Sequence, residues 1–134
     1  MMYEKLDHTA DVMIKARGSN IEECFANAAY GMFDQIVEAN KIDPKIEYNI
    51  RVEAENTEAL LYNFLSELLY IFDTKKLVFS KFSVKFVGNA LICTAWGEQF
   101  NPHKHKPKKE IKAVTYHMMT INKDEPSVTV LFDI

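Results

Sequence analysis

The chain has 134 residues, 48% of them hydrophobic and 26% charged, with a formal net charge of −3. One domain of that length buries roughly two thirds of its unfolded surface, enough for a core without staples. The mild acidity argues against a bulk nucleic-acid binder. Two distant cysteines, Cys24 and Cys93, argue against a disulfide framework or a structural zinc site and for a reducing compartment.

Along the chain, MYEKLDHTADVMIKARG reads as two short strands, with Asp7, His8 and Asp11 at their junction. Acidic side chains are poor strand formers, so their placement asks for a reason. No signal peptide is expected in MMYEKLD, which is acidic and short of apolar residues. The apolar runs are too short to span a bilayer, so a cytoplasmic protein is expected. GSNIEECFANAAYGMFDQIV follows as a helix. Ser19 or Asn20 can cap it, and Glu22 or Glu23 can complete a capping box. Ile21, Phe25, Ala28, Met32 and Ile36 give its apolar face. Gly31 costs such a helix roughly 1 kcal/mol against alanine, so close packing is expected there.

KIEYNIRVEAE alternates cleanly and predicts a strand with one wet face. NTEALLYNFLSELLYIFDTKK predicts a second helix, capped by Asn56 or Thr57. Leu61, Phe64, Leu65, Leu68 and Phe72 form its buried stripe, and Leu60, Leu69 and Ile71 widen it. LVFSKFSVKFVGNALICTAWGE predicts a hairpin about Gly88–Asn89. The loop EQFNPHKHKPKKE precedes two last strands, EIKAVTYHMMTI and SVTVLFDI. The order is ββαβα followed by at least four strands, a single domain over residues 1–134. The class is α+β: one mostly antiparallel or mixed β-sheet with two α-helices packed on one face.

No phosphate-binding glycine loop, HExxH, GxSxG or EF-hand pattern occurs. Both cysteines lie in apolar patterns and are expected to be buried, inert thiols. Asp11 and Asp133 both fall on the less apolar phase at strand ends. Ile134 would place a terminal carboxylate beside Asp133. If the last strand lies beside the second, carboxylates converge, at a cost of several kcal/mol unless a cation offsets it. All-oxygen ligands suit calcium or magnesium. Spacing alone leaves this open against scattered acids at strand ends.

His8 and His117 are further candidates for that site, with hydrogen-bonded structural histidines as the alternative. Lys112 has the phase of Val114 and Tyr116, and a lysine beside an aromatic could hold a phosphate. Five of the sixteen basic residues lie between 104 and 112. The run Lys104–Lys109 is either a docking surface or a solvated loop. His103 and His105 could bind a soft metal.

DHTADV, the capped helix with AAYGMF, LSELLYIFD, KAVTYH and the terminal FDI resemble, in this order, the archease family over the whole chain. The resemblance implies a protein cofactor rather than an enzyme. Its partner would be the RNA ligase that joins cyclic-phosphate or 3′-phosphate ends to 5′-hydroxyl ends in tRNA splicing and RNA repair. Such a cofactor promotes GTP-dependent guanylylation of the ligase and multiple turnover. The resemblance also implies a divalent metal, calcium foremost with magnesium or manganese as alternatives, on Asp11, Asp133 and Ile134. Chaperone-like help to RNA-modifying proteins, including a tRNA methyltransferase, is a further implication. Gly-Ser-Asn here replaces a Gly-Asp-Thr type of turn before the first helix, which removes one possible acidic ligand. A standalone metal-dependent phosphohydrolase using Asp11, His8 and His117 is the competing class, though the larger ligand set of a two-metal site is missing.

Overall fold

The computed structural model describes residues 3–6 and 11–134. Strands β1 (Tyr3–Leu6) and β2 (Val12–Arg17) lead into helix α1 (Ile21–Ile36). The α1 cap uses both expected partners. Asn20 accepts the Glu23 N–H at 2.8 Å, and the Glu23 carboxylate returns to the Ser19 N–H at 3.2 Å and its hydroxyl at 3.0 Å. Such a cap contributes about 1 kcal/mol. A 3₁₀ turn (Ala39–Lys41) and β3 (Ile46–Glu53) precede α2 (Thr57–Lys75). Asn56 caps α2 by accepting the Ala59 N–H at 2.8 Å. Strands β4 (Leu77–Val87) and β5 (Ala90–Gln99) form the hairpin about Gly88–Asn89. The one-turn helix α3 (Pro102–His105) lies in the basic loop, before β6 (Ala113–Asn122) and β7 (Ser127–Asp133).

The fold is α+β with every strand pair antiparallel, and the strands divide between two sheets. One runs β1-β2-β7-β6 and the other β3-β5-β4. Alternation assigns a strand's faces, not its neighbours, so this division is not visible in the patterning. The segment 100–112 makes it. That segment leaves β5 and crosses the end of α1, where the Lys108 and Lys109 N–H groups donate to the Ile36 and Gln35 carbonyls. Only then does β6 begin, beside β7.

Both helices touch both sheets. The α2 stripe of Leu61, Phe64, Leu65 and Leu68 is fully buried. Phe25 of α1 meets the Phe86 ring edge-on at 5.1 Å and stacks near Phe64 at 6.3 Å, joining α1 to β4 and α2. Each such side chain contributes roughly 1.5–3 kcal/mol on burial. Phe72 is half-buried and packs against Phe100 of the loop. Gly31 and Gly97 mark close approaches between elements. A β-carbon at Gly31 would sit 2.8 Å from Ile14 Cδ1, so the glycine that weakens α1 lets it settle on β2. A β-carbon at Gly97 would sit 1.8 Å from the Val78 carbonyl oxygen, beside the β4 bulge at Phe79–Lys81. No described helix is long and apolar enough to cross a membrane.

Candidate functional site

The two central strands of the four-stranded sheet, β2 and β7, pair in the register Val12–Phe132, Met13–Leu131 and Ile14–Val130. One step outward, that register sets Asp11 opposite Asp133. On its other side Asp133 faces Ala113 of β6, and its carbonyl accepts the Lys112 N–H at 2.8 Å. Val12 and Phe132 are buried, so pleating directs the next residues to the other face. Asp11 is half-buried in the bend before β2, Asp133 is exposed, and Ile134 is 39% exposed. The expected meeting of the second and last strands therefore occurs. It brings Asp11, Asp133 and Ile134 to one end of the sheet.

His8 lies outside the described residues, as does Asp7. Among the described residues no group of three or more His, Cys, Asp or Glu side chains is placed to hold a metal. The donors at this end are two side-chain carboxylates with main-chain or terminal oxygens. That all-oxygen set fits a hard divalent cation better than a soft one.

His117 is exposed in a stretch where β6 leaves register, between Thr115 and Thr120, and Met118 there has φ of 57°. The regular alternation of Ala113 and Thr115 along β6 ends at this irregularity, before His117. By strand rise, His117 sits roughly 13 Å along β6 from Ala113, the residue facing Asp133.

The basic loop is largely tied down. Lys104 Nζ lies 2.8 Å from Asp43 Oδ2 and 2.7 Å from Glu98 Oε2. Lys108 Nζ donates to the Asp34 carbonyl at 2.7 Å. His105 is fully buried. Its Nδ1 accepts the Asn101 N–H at 2.9 Å, which leaves the ring proton on Nε2, 2.8 Å from Glu98 Oε2. His105 is therefore occupied within the loop and does not form a metal pair with the exposed His103. Burial raises the Glu98 pKa. Hydrogen bonds from Lys104, the Asp43 N–H and His105, with the Lys104 charge, outweigh burial and hold it at about 2. Both cysteines are fully buried, as expected, and desolvation raises both thiols, Cys93 to about 12.

A second feature, absent from the motif reading, lies between α2 and β6. The Tyr62 and Tyr116 rings stack with centroids 4.3 Å apart and planes within 5°. Beside them a cavity of about 220 Å³ is lined by Tyr62, Ser66, Tyr70, Asp73 and Lys112. The available signal was the spacing of Tyr62, Ser66 and Tyr70, one turn apart and off the buried stripe of α2.

Comparison with known proteins agrees with the fold and the order of motifs. The model of the Archease protein family matches residues 3–134. The protein archease of Pyrococcus furiosus is 46% identical over 125 residues, covering 90% of this chain and 88% of that protein. That of Sulfolobus acidocaldarius is 37% identical over 132 residues, covering 97% and 95%. The solution structure of Methanobacterium thermoautotrophicum protein 1598 superposes with a TM-score of 0.85 at 35% identity, over 98% of both chains. A crystal structure from Thermotoga maritima, described as an archease and possible chaperone, shares the fold with a TM-score of 0.65 at 23% identity. It covers 100% of this chain and 98% of that one. With the family's match running from β1 through the paired ends of β2 and β7, this chain belongs to the archease family.

Proposed function

We propose that this protein is a non-catalytic cofactor of a GTP-dependent tRNA-splicing and RNA-repair ligase. It promotes guanylylation of the ligase and multiple turnover. The observation that supports this reading is the β2–β7 register, whose outermost pair, Val12–Phe132, is followed on the two strands by Asp11 and Asp133. A divalent cation, calcium foremost, would be held by these carboxylates and by an oxygen of Ile134. It would offset the repulsion between them and supply a positive centre for phosphate oxygens. The chain's own part is to hold those oxygens on paired strands and present them at an edge that a partner's nucleotide pocket could receive. Family membership supports the reading, because the family's match runs over residues 3–134 and so spans both acidic segments.

The test is ligation by a partner ligase at limiting GTP, with and without this protein. Stimulation over several turnovers is expected. No change in ligase guanylylation at any ratio of the two proteins overturns the reading. A chaperone role is the second reading, supported by the description of the Thermotoga maritima structure as a possible chaperone. It would extend to RNA-modifying proteins such as a tRNA methyltransferase.

A further inference from the structure

The outward face of α2 carries Glu58, Tyr62, Ser66, Glu67, Tyr70 and Asp73. Tyr70 is 61% exposed, and farther along β6, Tyr116 and Met118 are each 53% exposed. Rings so exposed leave apolar area in water, at a cost of about 25 cal/mol per Å². Tyr62 and Tyr116 are already stacked on each other, so the Tyr62 end of the cavity is fixed before any ligand arrives. The left-handed backbone at Met118 lies in the same stretch of β6. A non-glycine residue in that conformation is costly, and such strain concentrates at functional sites.

Three properties select the occupant. The first is charge. Asp73, the acid that lines the cavity, forms no ion pair among the described residues, and Asp133 pairs with Ala113 of the same lining. That field favours a cation and repels a phosphate backbone. The second is size. At about 220 Å³ the cavity is smaller than the roughly 300–1,000 Å³ typical of small-molecule sites, and it suits one inserted side chain. The third is shape. Tyrosine ring faces beside a carboxylate suit a planar guanidinium, which stacks on the ring and gives two N–H groups to the acid. A compact ammonium cannot do both.

We propose that the cavity between α2 and β6 seats an arginine side chain of a protein partner, stacked against Tyr70 and bonded to Asp73. Lys112 lines the same cavity, and its backbone N–H is bonded to the Asp133 carbonyl. A partner engaged at the Asp11–Asp133 end would thus meet this cavity next. The inference rests on the proposed ligase docking only for the identity of that partner. The Lys112 ammonium is a competing charge, displaced toward solvent when a guanidinium enters.

The experiment is an NMR titration of the full chain with an acetylated Gly-Arg-Gly amide. Its citrulline analogue keeps the shape and removes the charge. Uridine monophosphate is the nucleotide probe. Saturable shifts at Ser66, Tyr70 and Asp73 are expected with the arginine peptide and not with citrulline. Asp73→Asn should weaken binding by roughly tenfold, as for loss of a charged hydrogen-bond partner. Tyr70→Ala should also weaken it, Tyr70→Phe should restore it, and Lys112→Ala should tighten it. Equal binding of the citrulline peptide, or indifference to Asp73→Asn in a folded variant, overturns the proposal. So does uridine monophosphate binding at these residues that Lys112→Ala abolishes. None of these readouts requires the ligase, so they stand apart from the outcome of the ligation assay.

Discussion

His105 Nε2 lies 2.8 Å from Glu98 Oε2, with the imidazole fully buried and the carboxylate also held by Lys104 and the Asp43 N–H. The Glu98 carboxyl is held at about 2 in the fold, against an ordinary 4.5. A depressed carboxyl contributes stability above its unfolded pKa and loses it as pH falls toward the folded value. The expected loss between pH 5 and pH 2.5 is about 2 kcal/mol, less than the full shift because solvent screens the open edge of the group. Urea unfolding across that range should fall more steeply for the wild type than for Glu98→Gln. Equal slopes would show that Glu98 is not held down.

Gly97 and Gly88 make a paired test of packing against backbone strain. At Gly97 a new β-carbon would meet the Val78 carbonyl at 1.8 Å, and the obstacle is backbone. Gly97→Ala should therefore cost more than about 3 kcal/mol or prevent folding. At Gly88 nothing lies within 4 Å, but φ is +62°. Gly88→Ala should cost only about 1 kcal/mol, the ordinary penalty of the left-handed conformation. Chemical denaturation of the two variants ranks them, and the reverse order would contradict the β4–β5 bulge.

The helix caps, the α2 stripe and the Gly88–Asn89 hairpin were legible because each is set within a few residues. The division into two sheets was not, since the pairing of β7 with β2 joins residues over a hundred positions apart. Glu98 in AWGEQF reads as an ordinary acid, and HKHKPKK reads as free charge. Their ion pairing depends on Asp34 and Asp43, distant in the chain but brought close by α1 and the 3₁₀ turn. On β6 the strand alternation breaks at the irregularity after Thr115, where no glycine or proline marks it. For Asp11 and Asp133, spacing showed the residue type and strand phase. That the two belong to one site was implied by the family resemblance, and the register, which ends at Val12–Phe132, leaves them next in line at the same end of the sheet.

The basic loop separates into lysines with acidic partners and polar residues that have none among the described residues. Lys104 and Lys108 are engaged by Asp43, Glu98 and Asp34, whereas Lys106 and His103 make no ion pair among the described residues. Lys104→Ala should lower the melting temperature by leaving Glu98 short of a donor, and Lys106→Ala should not. If the loop aids docking by long-range attraction, His103→Ala with Lys106→Ala should slow association with the ligase mainly at low salt. An equal loss of activation at every salt concentration would point instead to specific contact.

Asp11→Ala tests the acidic end itself. Asp11 precedes β2 and is half-buried in a bend, while the buried Val12, Ile14 and Ala16 carry the packing on α1 and the sheet. Removing one of two neighbouring carboxylates also relieves repulsion. The metal-free variant should therefore keep its stability to within about 1 kcal/mol. Its response to calcium should change. A cation held at a hundred times its dissociation constant stabilises the wild type by about 2.7 kcal/mol, and the variant should lose most of that gain. Melting temperature against calcium concentration reads this without any ligase. Ligase guanylylation over several turnovers reads the consequence, and stimulation should vanish with the calcium response. Full stimulation by folded Asp11→Ala protein would remove this end from the mechanism and leave the α2–β6 face or the basic loop to carry it. A lost calcium response with stimulation intact would make the cation structural rather than functional.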